Sequence, residues 1–150
     1  MIDTLRRILR ETKTIAVVGL SSKWHRPSYF AAKYLQEHGY RIIPVNPAYE
    51  EVLGEKCYPN LLEIPEPVDV VDIFRFAKDV PPVVDDAIKI GAKVVWMQLG
   101  IQNEEAAQKA RAAGLEVVMN RCMKIEHARL FGDINLIGVN RGFVSSKRYK

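Results

Sequence analysis

Five residues crowded into one turn carry the most evident chemistry of this chain. Ser21, Ser22, Lys23, Arg26 and Ser28 follow directly on the apolar run Thr14-Ile15-Ala16-Val17-Val18 and Gly19. Two cations, three hydroxyls and the backbone amides of a tight turn together favour an anion, and a phosphate in particular. Gly19 lets the backbone turn sharply, and Pro27 suits the first position of a helix whose unpaired amides face the same spot. The run before Gly19 lacks the alternation of a half-wetted strand, as expected of a parallel strand covered on both faces. Residues 14–28 therefore read as strand, phosphate turn and helix start.

Other reactive side chains are few. Neither Cys57 nor Cys122 belongs to a Cys-x-x-Cys pair, so the sequence carries no metal or redox motif of that kind. His38 stands before Gly39 at a predicted helix end, where a cation offsets the dipole, and reads as structural. His25 lies in the phosphate turn and reads equally as a ligand contact or an exposed loop residue. Cys122 and His127 both follow the last predicted strand and form the one nucleophile and base pair worth naming, although no third orienting group accompanies them. Asp69 and Asp72 fall inside a predicted strand and read as satisfied structural acids. No residue is assigned a catalytic role.

The 150 residues are most simply one domain, 1–150, able to bury about two-thirds of the unfolded chain's surface. Apolar residues make up 48% and charged residues 27%, and no apolar run approaches the ~20 residues of a membrane span. The opening Met-Ile-Asp-Thr-Leu-Arg-Arg does not resemble a secretion signal, and a cytoplasmic location is expected. Part of the net charge of +4 belongs to the terminal Lys147-Arg148-Tyr149-Lys150, which reads as a solvated tail. No nucleic-acid-binding signature accompanies it, and an acidic small molecule suits the charge better than nucleic acid.

These residues need a scaffold, and the pattern supplies one. After an opening helix ending near Thr12, strands are expected at 14–20, 41–45, 68–74, 93–98 and 115–119. Helices are expected at 27–37, 80–90 and 103–113, closed by Gly39, Gly91 and Gly114, the third capped by Asn103. Helix 27–37 should turn Phe30, Ala31, Tyr34 and Leu35 inward. Residues 46–59 read as an irregular excursion and 60–64 as a helical turn. A short helix at 123–130 and a tail complete the chain after about residue 120. Strands alternating with helices imply an α/β fold, a Rossmann-like doubly wound parallel sheet of five strands in three layers, expected in the order 3-2-1-4-5. Ligands would lie across the carboxyl ends of strands one and four and their neighbours. That places Gly19 to Ser28, Asn46, Pro47, Phe74, Arg75, Gln98, Leu99, Gly100, Asn120, Arg121 and Cys122 at the candidate site.

The sequence departs from the dinucleotide fingerprint in two ways. Where further glycines belong after Gly19, it has Ser21 and Trp24, and strand two ends in Val45-Asn46-Pro47 rather than in an acid. A nucleoside triphosphate site fits poorly too, because no Gly-x-x-x-x-Gly-Lys-Ser/Thr segment occurs.

Six segments in order resemble a known family over roughly residues 10 to 130. They are Val17-Val18-Gly19-Leu20-Ser21, Arg26-Pro27-Ser28, Val45-Asn46-Pro47, Val71-Asp72-Ile73-Phe74-Arg75, Trp96-Met97-Gln98-Leu99-Gly100 and Asn120-Arg121-Cys122. The family is that of the stand-alone coenzyme A-binding proteins, whose fold is shared with the N-terminal domain of the succinyl-CoA synthetase alpha subunit. The resemblance implies coenzyme A held through its phosphates at Gly19, Ser21, Ser22, Lys23, Arg26, Pro27 and Ser28. It implies the nucleoside beside Asn46 and Pro47, with Phe74 and Arg75 near it. The pantetheine end would meet Gln98 and Gly100, near Asn120 and Cys122. The synthetases phosphorylate a histidine in another domain, which a chain of this length has no room for, so a binding module is expected rather than an enzyme. Delivery, storage or sensing of acyl-CoA, or a mixed disulfide through Cys122, would suit such a module. A small nicotinamide-nucleotide oxidoreductase with an atypical phosphate turn is the alternative, with a cavity lined by Trp96, Tyr49 or Cys122. A purely structural interaction domain would leave the turn's cations without a common target. Leu130, Phe131, Leu136, Ile137 and Phe143 make a homodimer possible.

Overall fold

The computed structural model describes residues 2–131. The terminal basic residues and Leu136, Ile137 and Phe143 lie outside them. Five parallel strands form one sheet: β1 (Thr14–Val18), β2 (Arg41–Val45), β5 (Val70–Ile73), β6 (Val94–Met97) and β7 (Glu116–Val118). The intervening β3 (Glu51–Val52) and β4 (Glu55–Lys56) pair as a small antiparallel hairpin inside the expected irregular excursion. Leu53 and Gly54 both have positive φ at its tip, +56° and +76°, the geometry that matches the twist of a two-residue hairpin loop.

Helices cover both faces of the sheet, giving the expected three layers. One face packs α1 (Ile2–Glu11), α2 (Pro27–Glu37) and α5 (Met123–Phe131); Leu5, Ile8, Leu9, Leu35 and Met123 meet Ile15, Val17, Ile42, Val70 and Trp96. The other packs α3 (Val80–Lys89) and α4 (Glu104–Ala112); Val80, Val84, Ala87 and Ala107 meet Ala16, Ile43, Val71 and Val95. Full burial of each large aliphatic side chain contributes roughly 1.5–3 kcal/mol, so the two cores hold the layers together. Phe30 departs from expectation and stays half exposed on α2, while Ala31, Ala32 and Leu35 face inward.

The strand order corrects the sequence expectation. Numbered as five sheet strands in chain order, the sheet runs 2-1-3-4-5 rather than 3-2-1-4-5, because β5 pairs with the free side of β1 and leaves β2 at the edge. Pro44 supplies the physical reason. The carbonyl of Pro44 accepts from Tyr58 N at 3.0 Å on the side away from β1, so its missing N–H also faces outward, where an interior strand would need a donor. The loop at Tyr58 covers that edge, with Asn46 N donating to the Tyr58 carbonyl at 2.9 Å. The chain therefore changes direction between β1 and β5, not between β1 and β6, and the crevice for a ligand opens there.

Candidate functional site

Gly19 leaves β1 with φ +88°, and its N–H donates to the Val45 carbonyl at 2.8 Å. The turn that follows is braced internally. Ser21 N donates to Ser28 Oγ at 3.1 Å, and Lys23 N donates to Ser21 Oγ at 3.0 Å. Ser28 is buried and organises the turn from within α2, while Ser22, Lys23 and Arg26 are exposed around it. Arg26 occupies the N-cap position of α2 without a side-chain capping bond, Pro27 follows it, and the first turn carries no acid. The positive end of α2 and the two cations thus face the same space. Sequence reasoning placed Tyr49 only in an alternative cavity, yet it reaches this turn. The hydroxyls of Ser22 and Ser21, aided by the charge of Lys23, hold its phenol below the ordinary value.

Asn46 and Pro47 border the turn, but both polar ends of the Asn46 side chain are engaged. Nδ2 donates to the Leu20 carbonyl at 3.1 Å and Oδ1 accepts from Ala48 N at 2.9 Å, which ties the loop after β2 to the turn after β1. Phe74 N donates to the Val18 carbonyl at 2.9 Å and brings Arg75 beside Gly19. The Arg75 guanidinium lies 3.9 Å from Asp79. After β6, Gly100 has φ +85° and its N–H donates to Asn120 Oδ1 at 2.6 Å, so the turns after β6 and β7 are joined.

Three concavities line up along this edge. One of about 320 Å³ lies between Asn46, Pro47, Arg75, Asp79 and Asp86. The next, of about 350 Å³, lies at the turn after β1, from Gly19, Ser21, Lys23, Arg26 and Ser28 to Tyr49 and Phe74. The third, of about 810 Å³, extends from Pro27 and Phe74 past Gln98, Leu99 and Gly100 to Cys122 and Ile125. The structure therefore gathers all the expected segments along one continuous edge. Among the named residues, Leu20, Ser22, Trp24, His25, Asn120 and Arg121 do not line the concavities.

Gln98 is almost wholly buried, and its Nε2 donates to Asp72 Oδ1. Asp72 is fully buried, its Oδ2 has no hydrogen-bond partner, and burial pushes its carboxyl up to about 7 against the opposing pull of Gln98. Asp69 is the satisfied acid expected. It accepts from Lys13 N at 2.9 Å and Thr14 N at 3.1 Å, and it pairs with Lys93 at the opposite end of the sheet.

The Cys122 and His127 pair does not form. His127 Nδ1 lies 2.9 Å from Tyr34 Oη, and its ring packs among Tyr34, His38, Tyr40 and Phe131. Burial, with His38 nearby, lowers its imidazole to about 4. His38 stands at the end of α2 as expected, and it rather than Gly39 takes the C-cap position. Its Nδ1 lies 2.7 Å from the Tyr34 carbonyl, which can only accept, so that nitrogen carries the proton. Trp96, offered as a cavity wall in the oxidoreductase alternative, is fully buried and donates Nε1–H to the Arg121 carbonyl at 2.8 Å. Among the described residues no group of three or more histidine, cysteine or acidic side chains could hold a metal ion. No helix among them is long and apolar enough to cross a membrane.

The model of a CoA binding domain matches residues 13–128, which takes in the sheet, the phosphate turn and all three concavities. The chain belongs to this CoA-binding family. It is 43% identical over 124 residues to the uncharacterized protein YneT of Bacillus subtilis, covering 83% of this chain and 92% of YneT. A solved hypothetical protein from Pyrococcus horikoshii superposes with a TM-score of 0.86 at 52% identity, over 88% of this chain and 93% of that one. A larger protein of similar structure is an acetyl-coenzyme A synthetase of Ca. Korarchaeum cryptofilum, with 30% identity and a TM-score of 0.68. There the match covers 80% of this chain but 28% of the synthetase. The chain thus corresponds to the CoA-binding part of such enzymes; an ADP-forming acetate–CoA ligase of Archaeoglobus fulgidus is likewise 31% identical over 89% of this chain and 20% of its own length.

Proposed function

We propose that this protein binds coenzyme A or an acyl-CoA as a stand-alone module. The observation that carries the reading is the order of the three concavities: a cationic turn at an uncapped helix start sits between a small cleft that holds Asn46, Asp79 and Asp86 among apolar walls and a large, mainly apolar one. Coenzyme A has the same order of chemistry, from nucleoside through diphosphate to pantetheine and thiol. Lys23 and Arg26 neutralise the phosphates, and the first-turn amides of α2 add donors. The nucleoside enters beside Pro47, where Asp79 and Asp86 accept from its hydroxyl and amino groups. The thiol arm runs past Phe74 toward Gln98, Gly100 and Cys122.

The near full-length match to YneT supports a module that works without a fused catalytic region. A cytoplasmic setting fits two unpaired cysteines, Cys57 and Cys122, in a reducing compartment. The nicotinamide alternative loses support at β2, where Asn46 replaces the usual acid and is engaged with backbone. Calorimetric titration of nucleotide-stripped protein with coenzyme A, acetyl-CoA, NAD, NADP and ATP tests the proposal. Binding confined to the coenzyme A species is expected, and binding to nicotinamide nucleotides alone, or to none of the five, overturns it.

A further inference from the structure

The third concavity is more than twice the size of either neighbour, at about 810 Å³ against about 320 and 350 Å³. Its walls are also unlike theirs. Phe76, Leu99 and Ile125 leave 76%, 64% and 49% of their surface exposed, and all three gather at this one opening. Isolated exposed apolar side chains are ordinary, but a cluster around a cavity marks a site where apolar surface is to be covered. Two polar groups of the wall are engaged within the protein, Gln98 Nε2 with Asp72 and Gly100 N–H with Asn120, and Arg75 pairs with Asp79. The cations Arg75 and Lys78 belong to the β5–α3 side alone.

A pantetheine arm that runs through this cavity toward Cys122 is polar at its two amides and does not by itself cover Phe76, Leu99 and Ile125. Phe74 and Pro27 line both this cavity and the phosphate turn, so a ligand anchored at Lys23 and Arg26 leads directly into it. We propose that the cavity bounded by Phe76, Leu99, Ile101 and Ile125 takes the apolar acyl chain of a medium-chain acyl thioester of coenzyme A. Such thioesters are then the preferred ligands over free coenzyme A and over acyl groups ending in a carboxylate. This rests on the coenzyme A reading above and adds the class of acyl group.

Titration with coenzyme A, acetyl-CoA, butyryl-CoA, hexanoyl-CoA and succinyl-CoA, with hexanoate alone as a further arm, separates the two. Each two-carbon extension is expected to tighten binding roughly tenfold, because each buried methylene adds about the same transfer free energy. Succinyl-CoA should bind more weakly than butyryl-CoA, since its carboxylate would lose water against the apolar wall formed by Leu99, Ile101 and Ile125. A flat series with firm coenzyme A binding overturns the chain proposal and leaves the coenzyme A reading intact. Failure of every thioester and of coenzyme A overturns both. Hexanoate binding as firmly as hexanoyl-CoA would make this a free fatty-acid site and also overturn the proposal. Ile125→Asp and Leu99→Asp, both at exposed positions, should each cut the tenfold step to less than threefold. An unchanged step in both variants, with folding verified by circular dichroism, refutes the assignment. Light scattering on the same samples covers the remaining occupant: a dimer that Leu99→Asp dissociates and hexanoyl-CoA leaves intact would show that a second copy fills the cavity, against the proposal.

Discussion

Gly19 and Phe74 are packed backbone to backbone: a Cβ placed on Gly19 would collide with the Phe74 carbonyl oxygen. The contact joins the ends of β1 and β5, the two strands between which the sheet reverses direction. It sets how closely the phosphate turn approaches Arg75, whose Cδ would lie 3.2 Å from the same added carbon.

Gly19→Ala is therefore expected to be costly on two counts, a positive φ of +88° and the steric overlap. We expect a loss of roughly 2–4 kcal/mol in urea unfolding, with coenzyme A binding lost or strongly weakened. A variant of wild-type stability would show that the approach of the two strands is not fixed as described.

Asp72 and His127 pull stability in opposite directions with pH. Between about pH 4 and 7 native Asp72 keeps a proton that the unfolded chain has released, so its contribution to stability falls as pH rises. Between about pH 4 and 6.5 native His127 is neutral while the unfolded chain is protonated, so its contribution is lost as pH falls. Over the shared window the two slopes oppose each other, and wild-type stability should vary little from these two groups. Asp72→Asn should leave stability rising from pH 4 to 6.5, and His127→Gln should leave it falling from pH 4 to 7. Each change should amount to roughly 3–4 kcal/mol across its window, at about 1.4 kcal/mol per pH unit. Chemical denaturation at half-unit pH steps reads both slopes. Parallel curves for wild type and both variants would contradict the burial of these groups.

Lys23→Ala and Arg26→Ala should each weaken coenzyme A binding roughly tenfold without altering the unfolding midpoint, because both side chains are exposed and removing them frees no buried partner. Wild-type affinity should also fall with added salt, and less steeply in each variant. If both variants bind like wild type, the phosphates lie elsewhere.

Asn103 caps α4 through Oδ1, which accepts from Ala106 N at 2.9 Å, and its Nδ2 donates to the Ala77 carbonyl at 3.0 Å. Asn103→Ala should cost roughly 1–2 kcal/mol in urea unfolding. Asn103→Asp keeps the cap, loses the link to the loop before α3, and should fall between the two. An alanine variant as stable as wild type would rule out the cap as a stabilising contact.

By itself the sequence determined the succession of elements and the composition of the edge that bears the candidate site. The apolar runs ending at Val18, Val45 and Met97, the β-branched residues around Asp72, the prolines and Asn103 at helix starts, and the glycines at helix ends act within a few residues of themselves, and such local preferences are legible along a chain. The segments at those strand ends were legible for the same reason, since parallel strands bring all their carboxyl ends to one edge.

Only the tertiary structure decided which strands are neighbours, because pairing depends on contacts between distant segments. Pro44 held a clue to that order, yet a missing donor becomes informative only once it is known which side of the strand must donate. The same limit applied to single side chains. Nothing in the spacing distinguishes Asn46 engaged with Leu20 from Asn46 free for a ligand, or His127 paired with Tyr34 from His127 beside Cys122. Tyr49 reaches the phosphate turn, and Phe76, Leu99 and Ile125 surround one cavity, through the packing of three loops and the start of α5. Each of these side chains takes its role from a partner far away in sequence, and only the closed fold supplies that partner.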